Sequence, residues 1–412
     1  MSSKSITKCR ICAKSEFFEV INLGYTPLAD RFLLELNVNQ PYIYYELKLM
    51  QCENCGWNQI GNVIDPQILY QQDYPYDSSI TKTGNEHWNS FANDSFSRYK
   101  LNNSSRVIDI GSNVGALLKN FKNLGAKCLG IDPSETAASI AISQGIETKI
   151  SFFSCSEARN ILNTFGEADL ITGTNVVAHV DDLNDFFEGI TLLLSNSGVF
   201  RFEAPYFRNL VNYNQFDTIY HEHLSYLTIS PLISFLLKFD LEIINIEEFS
   251  IHGGSLRVDI ARKGRFDVMP SVQKYLEIES IEELNTVSKM QEFNSRIKLL
   301  RRNMRKLICE IQDQGKTIGV ASSPAKGMTF LHYVGLTHTD FIAVSDASSQ
   351  KNNKYLPGIF MRVISDDDLV KIEPDYVLIL AWNFATEIVG KLREIMPAKT
   401  KYIIPIPQPM VI

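Results

Sequence analysis

The sequence predicts an α/β chain in three parts: a small cysteine-bearing module, then two units in which short apolar strands alternate with helices. Three observations carry this. Two CxxC pairs stand near the N-terminus, the strand Arg106-Val-Ile-Asp-Ile110 runs into a glycine loop and a helix, and a second strand-loop-helix series opens near Lys316. At about 100 to 200 residues per domain, a chain of 412 residues holds two or three. The boundaries fall at 1–73, 74–265 and 266–412.

Composition narrows the function classes. A hydrophobic fraction of 45% with 21% charged residues is that of a globular chain. No apolar run approaches the roughly 18 residues that span a bilayer, so no membrane role is expected. The N-terminal MSSKSITKCRICAKSEFF lacks a secretory core and cleavage site, which predicts a cytoplasmic protein with reduced thiols. A net charge of −7 argues against nucleic acid as partner. The basic run from Arg296 to Lys306 carries apolar residues at helical spacing and reads as the polar face of an amphipathic helix.

In the first module, Cys9/Cys12 and Cys52/Cys55 are separated by 39 residues. A two-residue spacer lets both thiolates of a pair reach one tetrahedral ion, and Gly56 supplies the backbone freedom of the knuckle. Four thiolates close the coordination shell, so the expected Zn2+ is structural. Cys128, Cys155 and Cys309 are isolated and are expected in the core.

The central unit is read from 106 onward. Gly111-Ser-Asn-Val-Gly115 follows the first strand, a helix begins at Ala116, and the strand Lys127–Ile131 ends in Asp132-Pro-Ser134. Glycines at 111 and 115 allow a ligand close to the backbone, and Asp132, 21 residues past Gly111, is placed to accept from two ribose hydroxyls. The loop lacks a full GxGxxG, which favours S-adenosylmethionine (SAM) over a nicotinamide dinucleotide. Asp109, Gly111, Ser112, Asn113, Gly115, Asp132 and Pro133 are the candidate contacts, with Asn175 from the loop after the strand Ala168–Thr172. Further strands are expected at 198–202, 241–246 and 255–261, the last two as a hairpin closing a seven-stranded sheet with one antiparallel strand.

His179 belongs to that same loop, at the carboxyl end of the sheet, where open α/β sheets bind ligands; a hydrogen-bonded structural histidine is the alternative. Tyr220-His-Glu-His223 sets four titratable side chains in a row. Acid-base chemistry is the favoured reading, because imidazole titrates near neutrality and a neighbouring carboxylate can fix its tautomer. An HxH metal site and a purely structural cluster remain alternatives, and the residues alone do not choose between His221 and His223.

A helical stretch from about 270 to 312 leads into the third unit, with strands at 316–320, 341–346, 375–380 and 401–404. Ser322-Ser-Pro-Ala-Lys-Gly327 enters a helix beside a lysine, which suits an anion at Ser323, Lys326 and Gly327 or a plain helix cap.

Taken in order, the paired CxxC motifs, IDIGSNVGALL, NVVAHV, YHEHLSYLT, HGGSLR and SSPAKGMT resemble the SAM-dependent sugar C-methyltransferases of deoxysugar pathways over essentially the whole chain. Val114 stands where that family commonly has an acid. The resemblance implies a zinc module, a Rossmann-like class I SAM methyltransferase domain and a C-terminal Rossmann-like domain. It implies C-3 or C-5 methylation of a nucleotide-linked 4-keto-6-deoxy sugar, with His223 as base, Tyr220, Glu222, His179 and Tyr76 beside it, and Arg257, Ser323, Lys326 and Gly327 on the substrate. No second cofactor is implied, and a monomer or weak homodimer is expected. A zinc-ribbon RNA methyltransferase and a catalytically idle scaffold are the competing classes.

Overall fold

The computed structural model describes residues 3–70 and 82–412. Tyr76 lies outside the described residues. Three sheets organise the chain, and a two-stranded pairing of Ser3–Ser5 with Asn62–Ile64 ties down the N-terminus.

The first sheet is antiparallel and pairs Phe17–Thr26, Tyr45–Cys52 and Asn58–Ile60. Alternation along Tyr45–Cys52 buries Tyr45, Leu47 and Leu49 on one face, the period-two signature of a half-covered strand. Its edge is completed by Ser225–Tyr226, two residues past the histidine cluster, which pair with Gln59 and Asn58.

The second sheet has seven strands in the order Leu241–Phe249, Ser255–Arg262, Leu194–Pro205, Ala168–Thr174, Arg106–Ile110, Lys127–Asp132 and Thr148–Ile150. Only Ser255–Arg262 runs against its neighbours, as the sequence leads one to expect. Helices close both faces. On Leu183–Leu193, Leu183, Phe186, Phe187, Ile190 and Leu193 fall on one stripe and are buried, and Asp182 caps the helix by accepting from the N–H groups of Asn184 and Asp185. Gly115 starts the helix Ala116–Asn123 at φ 79° and packs against Ala141 and Ile146.

The antiparallel pairing sets Arg201 opposite Asp259 and Glu203 opposite Arg257. Arg201 and Arg257 are therefore buried with partners: Arg201 Nε lies 2.9 Å from Asp259, and Arg257 Nη2 2.7 Å from Glu203. The helix Lys82–Arg98 adds Asp94, 2.6 Å from Arg201, and His87, 2.8 Å from Glu203. Charges buried without such partners would cost several kcal/mol each, so this network fixes the helix on the sheet in one position.

The third sheet follows the order Val363–Ile364, Ala343–Ser345, Ile318–Ala321, Tyr376–Ile379, Lys401–Ile404 and Met410–Val411, parallel except for the last. The expected single helix before it is two, Pro270–Ile281 and Val287–Asp313. No Gly or Pro marks the break. Glu283 instead adopts φ 52°, and Thr286 caps the second helix by accepting from the N–H of Lys289. The second helix buries Met290, Phe293, Ile297, Leu300, Met304, Ile308 and Ile311, leaving its arginines and lysines on other faces. Cys309 is exposed there, contrary to its expected place in the core, because Ile308 and Ile311 take the inward positions. Cys128 and Cys155 are half-buried.

One apolar core joins all three parts: Leu47 and Leu49 of the first sheet, Phe207 and Phe216 of the middle, the long helix, and Phe330 and Leu331 beyond it. Among the described residues no helix is long and apolar enough to cross a membrane.

Candidate active site

The four cysteines of the first module converge. Their sulfurs all lie within 4.8 Å of one another, with Cys9–Cys55 at 3.6 Å and Cys12–Cys52 at 3.5 Å. A tetrahedral ion with Zn–S bonds of about 2.3 Å requires sulfurs about 3.8 Å apart, so the set fits zinc. Two tight turns create it, Ala13 N–H donating to Cys9 O and Gly56 N–H to Cys52 O, the second with Gly56 at φ 76°.

A cavity of about 1060 Å³ opens at the carboxyl ends of the central sheet, walled by all three parts of the chain. Its first end is the glycine loop. Gly111 adopts φ 67°, and a Cβ there would stand 2.4 Å from Val176 Cγ2, so only glycine fits. Asn113 and Asn175 take φ 50° and 57° on either side. Asp132 accepts from the N–H groups of Asn113 at 2.8 Å and Ser134 at 2.9 Å. Burial raises the pKa of Asp132, while these two N–H groups lower it. Asp109 accepts from the Thr172 hydroxyl at 2.7 Å, and burial pushes it up to about 7. Ser112 Oγ and Asn175 Oδ1 are buried without a partner among the described residues. Orphaned polar atoms beside a backbone cradle fit a polar cofactor. Pro133, Phe152 and Phe153 wall the same end; Gly115 lies behind it, in the helix packing.

The second end holds the histidines. His223 Nδ1 lies 2.8 Å from the Thr218 carbonyl, so that nitrogen carries the proton and Nε2 keeps its lone pair, 2.8 Å from the Tyr220 hydroxyl. A backbone carbonyl, not Glu222 as the sequence reading has it, therefore sets the tautomer: the side chain of Glu222 is turned into the cavity wall beside Asp30. Burial and then Asp30 push Glu222 up to about 8, and its Oε2 has no partner among the described residues. His179 is 5.0 Å from His223, ring centre to ring centre, and meets the Tyr70 hydroxyl at 2.8 Å through Nδ1. His221 points elsewhere, toward the Glu46 carbonyl, and burial lowers it to about 4. The HxH pair thus does not converge on one site.

The third unit closes the cavity with Lys326 and Lys351. Lys326 Nζ sits 4.3 Å over the Trp382 ring and donates to Asn383 Oδ1. Burial lowers its pKa to about 8 against the pull of Asp217. Pro324 stands before the helix Ala325–Val334 without a side-chain cap; the Gly327 N–H donates to the Pro324 carbonyl, which leaves those of Ala325 and Lys326 uncapped. Ser323 and Gly327 are buried beneath, Ser323 bonded to Asp346 and Gly327 packed on Leu380. Arg257 is held away from the cavity by Glu203 and lies between the rings of Phe91 and Phe249, 4.1 Å from each. Tyr70, Asp30 and Lys351 line the cavity without being marked by any sequence motif.

A seven-stranded sheet of this order, with a glycine loop, a buried acid at the end of the next strand and a cluster of His, Tyr and Glu side chains around one cavity, is that of a SAM-dependent methyltransferase. Three family descriptions match along the chain: "Putative zinc binding domain" over residues 9–70, "Methyltransferase domain" over 85–246 and "C-methyltransferase C-terminal domain" over 250–407. The C-methyltransferase NovU of Streptomyces niveus is 31% identical over 410 residues, 99% of this chain and 97% of that protein. The chain belongs to this family of SAM-dependent, zinc-module C-methyltransferases. A ubiquinone biosynthesis O-methyltransferase of Chelativorans sp. (strain BNC1) is 33% identical over 95 residues, 23% of this chain and 38% of that protein. The structure of magnesium protoporphyrin IX methyltransferase from Synechocystis PCC 6803 with bound SAH aligns at a TM-score of 0.36 and 14% identity, over 46% of this chain and 90% of that one.

Proposed function

We propose that the chain methylates carbon of a nucleotide-linked 4-keto-6-deoxy sugar, at C-3 in preference to C-5. The observation that supports this most is the single cavity running from the glycine loop, past His223, to Lys326 and the open helix start at Ala325. Carbon is a poor nucleophile unless a neighbouring carbonyl acidifies its C–H, so an imidazole base in this cavity calls for a keto substrate. A polyanionic handle on that substrate suits Lys326, Lys351 and the uncapped helix start, with the sugar then near the histidines.

Asp109, Ser112, Asn113, Asp132, Pro133 and Asn175 would hold SAM, which supplies an electrophilic methyl when bound. His223 Nε2 takes the proton from the carbon beside the ketone. Its Nδ1–H stays on the Thr218 carbonyl, which stabilises the imidazolium that results. Glu222, neutral below about 8, brings a proton to the cavity wall rather than a charge. The 2.8 Å bond from Tyr220 to Nε2 favours a second route, in which the proton reaches His223 through the Tyr220 hydroxyl.

His223→Asn should lower kcat by about 10²- to 10⁴-fold and stop deuterium exchange at the carbon beside the ketone, with SAM affinity nearly unchanged. Tyr220→Phe distinguishes the routes, since exchange survives it only if His223 acts directly. Incubation with SAM and a panel of keto-sugar nucleotides, read by mass and by the labelled carbon in NMR, tests the substrate class. Turnover only with RNA or a non-sugar ketone would refute it.

A further inference from the structure

We infer that Arg10, between Cys9 and Cys12 in the first turn of the zinc module, is a positioning residue: it sets the spacing of the two cavity histidines by tying the loop of His179 to the loop of His223. The inference rests on the reading of the cavity as the C-methylation site. Arg10 lies outside the cavity wall, so it acts through the segments that carry the imidazoles and not on the substrate.

The turn places the guanidinium. Cys9 and Cys12 give their sulfurs to the cluster, and the Arg10 N–H donates to Gln59 Oε1 at 3.0 Å, which fixes its backbone on the strand Asn58–Ile60. The side chain then runs, buried, among three segments far apart in the chain. Its Nε and Nη2 lie 3.3 and 3.2 Å from Oδ1 of Asp181, two residues past His179. Nη1 donates to the carbonyl of Leu224, the residue after His223, at 3.1 Å, and meets that of Ile60 at 3.5 Å. The planar fork of a guanidinium spans a carboxylate and a carbonyl at once, whereas an ammonium is a single point of charge.

The two loops share one direct bond, from the Leu224 N–H to the Ala178 carbonyl at 2.7 Å. A single hydrogen bond is a pivot. Arg10 adds a second attachment and closes a ring, from Ala178 to Leu224, from the Leu224 carbonyl to the guanidinium, on to Asp181, and back along the chain to Ala178. His179 stands within that ring and His223 adjoins it, with imidazole centres 5.0 Å apart. The Leu224 carbonyl also accepts from the Ile60 N–H at 3.1 Å, and Lys4 Nζ lies 2.5 Å from Asp181 Oδ2. Loss of the guanidinium therefore loosens the ring without undocking the module. A misplacement of about 1 Å between reacting groups can cost about 100-fold in rate.

The experiment compares full-length, zinc-loaded Arg10→Met, Arg10→Lys and Asp181→Asn with the unaltered protein. Without substrate, deuterated protein carrying protonated histidine rings is read by NMR for the cross-peak between the imidazoles of His179 and His223, assigned by its loss in His179→Asn and in His223→Asn. The expected result is a cross-peak in the unaltered protein that weakens in Arg10→Met and returns in part in Arg10→Lys. With a keto-sugar nucleotide that turns over, Arg10→Met should lower kcat about 10- to 100-fold, with KM and SAM affinity nearly unchanged. Asp181→Asn should add little to that loss, because both changes open the same ring. An arginine that only stabilised the fold would lower the unfolding midpoint and leave kcat of the folded protein as it was. That outcome overturns the proposal, as does an unaltered protein without the cross-peak or an Arg10→Met protein in which it is unchanged. If Arg10→Met does not fold, Arg10→Lys and Asp181→Asn decide by the same two readings. A keto-sugar panel with no turnover would count against the proposed function, while the substrate-free cross-peak still decides the role of Arg10.

Discussion

Replacing Asp132 by Ala tests whether the glycine loop is organised before the cofactor arrives. In the structure the two carboxylate oxygens already accept from Asn113 N–H at 2.8 Å and Ser134 N–H at 2.9 Å, and all three residues are buried. Alanine leaves two buried donors without acceptors, at about 1 to 3 kcal/mol each, so cofactor-free stability should fall by roughly 2 to 6 kcal/mol. The remaining lone pairs are those available to ribose hydroxyls. Loss of hydrogen bonds to a charged acceptor removes about 1.5 to 3 kcal/mol from binding, a rise in SAM Kd of about 10- to 150-fold. Asn should rescue little: its oxygen can serve Ser134, but its amide nitrogen would then face the Asn113 N–H, donor against donor. Urea unfolding measures the first quantity and calorimetric titration with SAM the second. An Asp132→Ala protein that folds and binds SAM with unaltered affinity would refute the placement of ribose on this carboxylate.

Two other outcomes are expected. Protein purified under reducing conditions should carry about one zinc per chain, and chelation or Cys52→Ser with Cys55→Ser should lower the unfolding midpoint, whereas metal analysis showing no zinc would contradict the fit of the four sulfurs. For pH, burial and Asp30 raise Glu222 from 4.5 to about 8, so the folded state holds a proton that the unfolded chain releases in that window. The contribution of Glu222 to stability is then greatest below 4.5 and is lost as pH rises through about 8; Glu222→Gln should flatten that slope in urea midpoints, and identical slopes in both proteins would remove the assignment.

What could be read from the sequence was local chemistry. The apolar run before Gly111, the acid after the next strand and the CxxC spacings each declare themselves within a few residues, and the structure puts them in one sheet and one sulfur cluster. The helix break at Glu283 and Thr286 escaped notice because a cap and one left-handed residue make it, without Gly or Pro. The supports of the histidines were hidden for a different reason. Tyr70 is 109 residues from His179, and the Thr218 acceptor is a backbone carbonyl that every residue owns, so neither leaves a mark in the sequence. Arg257 is expected on the substrate only through the family resemblance, and arginine is seldom buried unless paired. Its partner, Glu203, becomes visible only through strand register.

The pairing of Ser225–Tyr226 with Asn58–Gln59 makes the zinc module a jig for the acid-base turn. His223 is two residues from that seam, and the Cys52/Cys55 turn lies in the hairpin that forms its other side, so a zinc ion held by the four sulfurs would clamp a fixture to which the loop of the proposed base is bolted. A hybrid enzyme that takes this module from one relative and the rest from another would inherit a misaligned base unless residues 225–226 travelled with it. In breeding new specificities from this family, the natural unit of exchange is therefore that seam and its two flanks together, and a joint placed at the end of the cysteine region alone would produce proteins that bind cofactor and turn over little.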